Sequence, residues 1–381
     1  MESILSLKSN MKVLVTGANG FVGQNLRMHL SERKEIVVVP FTRDHDYKEL
    51  PALLYDVDFI FHLAGVNRPE DPKEFMTGNL ELTRELCNAI IASGRTIPVI
   101  YTSSIQASQK TPYGVSKHAS EELLFDLKSD IGNPVHIFRL PNVFGKWCKP
   151  NYNSVVATFC YNLVHDLPIQ IGDSTTLLNL AYIDDVIERF IQIMDGSDLA
   201  VDKDGFEILN PQYITTLGDL ARQLQSFRDS RVNLITERVG AGLVRALYST
   251  YVSYLPPNSF SYPVPLHGDA RGVFVEMLKT PDCGQLSYFT AHPGVTRGGH
   301  YHHSKTEKFL VIKGVARFGF RNIVTNEQHE LITSGGKPQV VETIPGWTHD
   351  ITNVGNDEMI VMLWANEIFD RTRPDTISAK V

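Results

Sequence analysis

The chain is predicted to fold as an α/β domain with a parallel sheet, followed by a smaller all-β domain. Three observations carry this. Up to about residue 200, short apolar strands alternate with longer stretches that place an apolar residue every three or four positions. A glycine-rich turn joins the first strand to the first helix. After roughly Tyr254 short β runs dominate, separated by turns such as Leu255-Pro256-Pro257, Gly298-Gly299, Gly335-Gly336 and Pro345-Gly346.

In order, strands are expected at Lys12–Thr16, Ile36–Val39, Phe59–Leu63, Val99–Thr102 and Val135–Arg139. Helices are expected over Asn79–Ile91 and Lys117–Leu127. The expected division of the chain is an extension over 1–10, a nucleotide-type domain over 11–245 and a β domain over 246–381. The extension lacks the apolar core of a signal peptide and is expected to be disordered or tag-like, with Met11 as the expected natural start. No apolar run is long enough to span a bilayer. A net charge of −7 argues against a nucleic-acid groove or a membrane surface as partner. The four cysteines form no CxxC pair, which fits a reducing cytoplasm better than a disulfide scaffold.

The first strand runs into Thr16-Gly17-Ala18-Asn19-Gly20-Phe21-Val22-Gly23. Glycines at 17, 20 and 23 permit a tight turn, close approach of a pyrophosphate, and packing of the following helix on the strand. The second strand ends in Pro40-Phe41-Thr42-Arg43, where an acidic residue would select NAD. Arg43 either pairs with a 2′-phosphate, favouring NADP, or is a solvated surface arginine. Tyr113-Gly-Val-Ser-Lys117 is a YxxxK motif opening a helix, which puts phenol and ammonium on one face. A tyrosine titrates near ~10 unperturbed, and a neighbouring lysine charge is expected to lower that. The phenol can then exchange a proton with a carbonyl oxygen being reduced. Ser103 or Ser104 offers a hydroxyl to polarise the same carbonyl, with Ser104 preferred.

The second half holds His300, His302, Glu307 and His349. On a strand His300 and His302 share a face, while His303 points away. Three imidazoles and a carboxylate suit Zn, Fe(II), Mn or Ni.

The motifs TGANGFVG, FHLAG, TSS, YGVSK and RLPNVFG resemble those of extended short-chain dehydrogenases/reductases (SDRs) of the nucleotide-sugar branch. That resemblance implies a Rossmann fold, a Ser104–Tyr113–Lys117 triad, and nicotinamide-cofactor contacts from Gly17, Asn19, Gly20, Phe21, Val22, Gly23, Arg43, Leu63, Ala64, Gly65, Tyr113 and Lys117. It also places Asn142 beside a bound sugar nucleotide. The stretch Gly294–Gly314 resembles the first cupin motif, implying a C-terminal jelly-roll. The second motif is only partly matched around His349. His267–Gly272 is similar to a segment that reaches substrate in 4-keto-sugar epimerase cupins, or it is a turn with a salt bridge.

The reductase-then-cupin order resembles the CapF-type enzymes of bacterial capsule and O-antigen synthesis. The particular stretches are HLAGVNRPE, NVFGKWCKPNYNSVVATFCY, LYSTYVSYLP, GGHYHHSKTEKFLV and NEIFDRTRPDT. The resemblance implies UDP-2-acetamido-2,6-dideoxy-β-L-arabino-hexos-4-ulose, a UDP-4-keto-6-deoxy-N-acetylhexosamine, as substrate. It implies C3 epimerisation in the cupin, then C4 reduction with NADPH to UDP-N-acetyl-6-deoxy-L-talosamine. It further implies a homodimer with zinc on His300, His302, Glu307 and His349. Asn67, Arg68, Asn142, Lys149, Tyr152 and Asn153 are the expected substrate contacts, Lys149 through a UDP phosphate. His303, Lys305, Asp269 and Tyr301 are open as cupin base. Competing expectations are a reductase whose cupin only dimerises, a non-catalytic NADP sensor or scaffold, and an Fe(II) dioxygenase.

Overall fold

The computed structural model describes residues 10–197, 200–303, 305–372 and 374–381. All but the last residue of the expected 1–10 extension lies outside them. The chain forms two compact units.

The first unit begins with β1 (Met11–Thr16), α1 (Phe21–Ser31), β2 (Ile36–Phe41) and the short α2 (Leu50–Leu53). It continues with β3 (Phe59–His62), α3 (Leu82–Ser93), β4 (Val99–Ser104), α4 (Pro112–Ile131) and β5 (Val135–Leu140). The strands pair in parallel in the order β2-β1-β3-β4-β5. The order reverses between β1 and β3, and ligands of such sheets bind in the crevice that opens there. All four residues of β3 are buried, as a central parallel strand covered on both faces requires. On one face Leu14, Ile60 and Tyr101 pack with Leu86, Ile90 and Leu124 of α3 and α4.

Helix boundaries follow local chemistry. Thr111 accepts from the Gly114 N–H (3.0 Å) and Pro112 follows it, so α4 starts there; Gly132, at φ 67°, ends it. A smaller sheet comprises β6 (Asn142–Phe144), β7 (Leu177–Tyr182) and β8 (Tyr213–Thr216), with α5 (Val155–Val164) and α6 (Ile183–Met194) between them in sequence. Phe190 of α6 is wholly buried, with ring centroids 5.0 Å from Phe138 and 6.2 Å from Phe61.

Next come α7 (Leu217–Asn233) and α8 (Gly242–Ser253). The units do not divide at 245/246: residues 222–248 group with the β-rich unit, and 249–254 with the first. Hydrogen bonds give the reason. Ile235 bridges Lys279, Arg231 donates to the Ser259 carbonyl (2.6 Å), and Arg238 pairs with Asp282. Tyr254 donates instead to the Cys148 carbonyl.

The β-rich unit comprises β9 (Leu266–Asp269), β10 (Gly272–Thr280), β11 (Gly284–Ala291), β12 (Thr296–Tyr301), β13 (Glu307–Lys313) and β14 (Val315–Asn322). It ends with β15 (Gln328–Ser334), β16 (Val340–Glu342), β17 (Trp347–Asn353), β18 (Met359–Ala365) and β19 (Ile377–Ser378). These strands form two antiparallel sheets, β16-β13-β18-β11-β10-β9 and β15-β14-β17-β12-β19. Phe289, Phe309, Val311 and Val361 of one sheet share a core with Phe318, Phe320 and Ile351 of the other. The fold class is therefore a Rossmann-type parallel domain plus an all-antiparallel, cupin-like jelly-roll. Among the described residues no helix is long and apolar enough to cross a membrane.

Because Phe190 fills a closed aromatic contact, Phe190→Ala should cost about 3–5 kcal/mol. The check is a lower denaturant midpoint for the first unit's transition, with the β-rich unit's transition unmoved.

Candidate functional site

The β1–α1 turn and the end of β3 approach each other at the switch point. Gly17 has φ 65°, and a Cβ there would lie 2.7 Å from the backbone of Ala64, so only glycine fits. Gly20 precedes α1 with no side-chain cap, leaving the helix's first N–H groups free to meet a phosphate. A cavity of about 720 Å³ opens here, and the structure brings Gly17, Asn19, Gly20, Arg43, Leu63, Ala64 and Gly65 to its wall. Phe21, Val22, Gly23, Tyr113 and Lys117 do not line it. Arg43 is exposed and makes no ion pair among the described residues. The motifs did not identify Asp44, His45, Asp46 and Tyr47, which also line the cavity. A polar run just beyond the second strand was the available signal.

The strand β4 and helix α4 place the expected triad. Ser103 and Ser104 have different partners. The Ser103 hydroxyl donates to Glu121, itself held by Arg139 at 2.9 and 2.6 Å. The Ser104 hydroxyl accepts from the Gln106 N–H at 3.2 Å. Lys117 is buried, its Nζ donating to the Thr102 carbonyl (2.8 Å) and the Tyr101 hydroxyl (3.2 Å). Burial lowers its pKa to about 8, which Glu121 one turn on opposes. The Tyr113 phenol is not lowered as its lysine neighbour led us to expect. Burial raises it, and the Ser104 hydroxyl only partly offsets this. A Cβ on Gly65 would come within 3.1 Å of both Lys117 Nζ and Asn79 Oδ1, so this glycine lets the loop pass over the lysine.

The expected sugar-nucleotide contacts lie in several loops. Asn67 buries its Oδ1 without a hydrogen-bond partner among the described residues, while Arg68, Asn142 and Asn153 are exposed. Lys149 sits over the Tyr152 ring at 5.4 Å.

In the β-rich unit, one ligand-bearing atom from each of His300, His302, Glu307 and His349 lies within 4.8 Å of the others. His300 and His349 face each other across the β12–β17 pair, while Glu307 opens β13 of the facing sheet. A cavity of about 160 Å³ adjoins them, walled by Phe274, Phe289, Phe309 and Arg297. Burial and the neighbouring His349 lower His300 to about 4. Although burial opposes it, hydrogen bonding to His302 and His349 holds the Glu307 carboxyl well below its usual range. One Glu307 oxygen lies 3.3 Å from the Nε2 of both His302 and His349. The His302 Nδ1 faces a backbone carbonyl at 2.6 Å, so it carries the hydrogen. Its Nε2 can therefore face the carboxylate only with a proton or a cation between them. His349 Nδ1 is buried without a hydrogen-bond partner among the described residues. This donor set fits a divalent ion.

Of the open base candidates, Lys305 is buried with Nζ on the Thr376 hydroxyl (2.8 Å). Asp269 closes an exposed salt-bridged turn with Arg271, whose guanidinium holds its carboxyl down to about 2. His303 is exposed, and Tyr301 stacks edge-on against it.

Comparison with known proteins agrees with both units. Residues 13–208 match the NAD dependent epimerase/dehydratase family, and residues 267–377 match the polysaccharide biosynthesis C-terminal domain. The chain is 64% identical over 372 residues to the UDP-2-acetamido-2,6-beta-L-arabino-hexul-4-ose reductase of Pseudomonas aeruginosa, covering 97% of this chain and 99% of that one. It superposes on the capsular polysaccharide assembling protein CapF of Staphylococcus aureus with a TM-score of 0.89 and 41% identity, over 97% of this chain and 100% of that one. A UDP-glucuronic acid 4-epimerase from Bacillus cereus, 19% identical with a TM-score of 0.53, covers 64% of this chain and 99% of that one, and shares the fold alone. A nucleotide-type cavity at the switch point of one unit and a His/Glu cluster within the other thus sit in a chain that belongs to the NAD dependent epimerase/dehydratase family, in its CapF-type branch.

Proposed function

We propose that this chain reduces the C4 ketone of a UDP-2-acetamido-2,6-dideoxy-hexos-4-ulose in its first unit, after inverting C3 in its β-rich unit. The observation that carries the reduction is the pair of Tyr113 and the buried Lys117 one helical turn apart on α4, beside the strand β4 that ends in Ser104. Full-length similarity to the Pseudomonas aeruginosa reductase supports the substrate class.

NADPH bound along the Gly17 turn would supply hydride to C4. Tyr113, protonated because burial favours its neutral form, gives its proton to the carbonyl oxygen as charge builds there. Ser104 polarises the same oxygen. Arg43 at the end of β2 would read a 2′-phosphate. Asn67, Arg68, Asn142, Lys149, Tyr152 and Asn153 would hold the UDP-sugar.

The C3 step follows from the chemistry of the substrate. A C4 ketone acidifies the C3 proton, because the carbanion formed is an enolate. Reduction removes that acidity, so inversion has to come first. The cluster of His300, His302, Glu307 and His349 supports this step: a divalent ion held there, zinc by resemblance, would supply Lewis-acid charge near a developing enolate. We further propose a cytoplasmic homodimer.

The decisive experiment is NMR of the product formed with NADPH in deuterated buffer. Deuterium at C3 with a reduced C4 is expected; reduction without C3 label would leave the cupin as a dimerisation module. Tyr113→Phe should slow NADPH oxidation roughly 10²- to 10⁴-fold while C3 exchange persists. Arg43→Ala should raise the KM for NADPH roughly ten- to hundredfold and leave that for NADH unchanged. The rate should also fall as pH rises through about 8, where Lys117 loses its charge. Glu121→Gln should move that fall to lower pH, since its carboxylate favours the ammonium. A flat rate in both proteins between about pH 6 and 10 would remove Lys117 from the reaction.

A further inference from the structure

The C-terminal segment passes over the loop that carries the His/Glu cluster, and one residue there bonds that loop from two sides. The backbone carbonyl of Asp375 accepts from His302 Nδ1 at 2.6 Å. Its carboxylate accepts from the backbone N–H of His303 and of Lys305, each at 2.9 Å. Asp375 has φ 33°, a left-handed conformation that non-glycine residues rarely adopt. The neighbouring residues fasten the same segment. Thr376 accepts from the buried Lys305 Nζ (2.8 Å), and Ile377 and Ser378 pair with Tyr301 and His300 on β12. The Ala379 carbonyl accepts from the Thr348 hydroxyl (2.7 Å), next to His349.

A carbonyl only accepts, so its partner nitrogen must carry the hydrogen. The Asp375 carbonyl thereby determines that His302 presents Nε2, as a lone-pair donor, to the cluster. The carboxylate meanwhile holds the backbone N–H groups of His303 and Lys305, so the backbone after His302 cannot shift without breaking two hydrogen bonds. Both functions come from a residue 73 positions away in sequence.

We propose that Asp375 is the positioning residue of the metal centre, setting the tautomer of His302 with its carbonyl and the ligand loop with its carboxylate. This rests on the proposed metal reading of the cluster. Outer partners of this kind typically change metal affinity by roughly 10- to 100-fold when lost.

The test is zinc affinity of the full-length protein, measured by competition with a chromophoric chelator. Asp375→Ala should bind zinc roughly 10- to 100-fold more weakly than the unaltered protein. Asp375→Asn, which keeps one acceptor, should recover most of that loss. A chain ending at Ala379, which loses the hydrogen bonds of Arg321 to the Lys380 carbonyl and keeps those made by Asp375, should bind as tightly as the full chain. With cobalt in place of zinc, the visible d–d bands of Asp375→Ala should differ from those of the unaltered protein, a change that a merely structural loss elsewhere in the sheet would not produce. Equal affinity and equal spectra for Asp375→Ala would overturn the proposal and leave the metal reading standing. If Asp375→Ala does not fold, Asp375→Asn decides: a measurable weakening supports the proposal and none overturns it. An unaltered protein that binds no more zinc than His302→Ala would sink the metal reading itself, and the role of Asp375 with it.

Discussion

The first unit depends on a buried imidazole that stays neutral. His62 ends β3 with no solvent exposure, its Nδ1 2.8 Å from the Thr16 hydroxyl and its Nε2 2.9 Å from the Thr83 hydroxyl. Thr16 already accepts from the N–H groups of Leu63 and Ala64, so it must donate to Nδ1. His62 then donates through Nε2 to Thr83, which donates to the Asn79 carbonyl at 2.8 Å. Every proton in this chain has one allowed place. Burial, with the Lys117 charge nearby, lowers the imidazole to about 3, so the order is kept across the physiological range. A charged ring would turn two donors toward each other at Thr16. The chain thereby ties the ends of β1 and β3, where the cofactor-type cavity opens, to the helical turn that carries Asn79.

From Asn79 the same order continues to α4. Its side chain clamps Val66 from both sides, at 2.8 and 3.1 Å, and donates to Ser116 at 2.9 Å. Ser116 precedes Lys117 and donates back to the Tyr113 carbonyl at 2.8 Å. The turn bearing phenol and ammonium is thus registered against the loop through hydrogen bonds instead of surface packing. The cluster in the β-rich unit is built on the opposite plan. There the polar groups are left incomplete: His349 Nδ1 has no hydrogen-bond partner among the described residues, and a carboxylate oxygen faces two imidazole nitrogens. A closed polar network makes a scaffold, whereas buried polar atoms without partners mark a place for something else to bind.

The parts of the chain that were legible in sequence are those governed by local spacing. The Gly17 turn, the Tyr113–Lys117 pair and the two histidines at 300 and 302 each follow from a strand or helix period, and the structure places them at a switch point, a helix start and a strand end. What was not legible depends on contacts across long separations. Nothing near His302 in sequence points to Asp375, and nothing in YxxxK shows that Lys117 turns to Tyr101 and Thr102 rather than to the phenol. The hydrogen bond of Ser103 to Glu121, 18 residues away, was likewise not legible in the TSS motif. Burial, which sets the sign of the phenol's shift, belongs to the packed fold. Residues 222–248 carry most of α7 and the start of α8, and their contacts with Lys279 and Asp282, distant in sequence, show which unit they join.

The sign of that shift bears on the direction of the proposed chemistry. A phenol lowered by a lysine is a base and suits removal of a proton from an alcohol. A phenol raised by burial is an acid at neutral pH and suits delivery of a proton to a ketone oxygen that gains charge. Lys117, lowered to about 8 by burial, is predominantly charged at neutral pH. Glu121 favours that charge, and Arg139 keeps Glu121 in place. Burial therefore keeps Tyr113 in the neutral form that delivery of a proton requires. In the proposed two-step sequence, reduction is the step that ends the acidity of the C3 proton and so fixes the inverted centre.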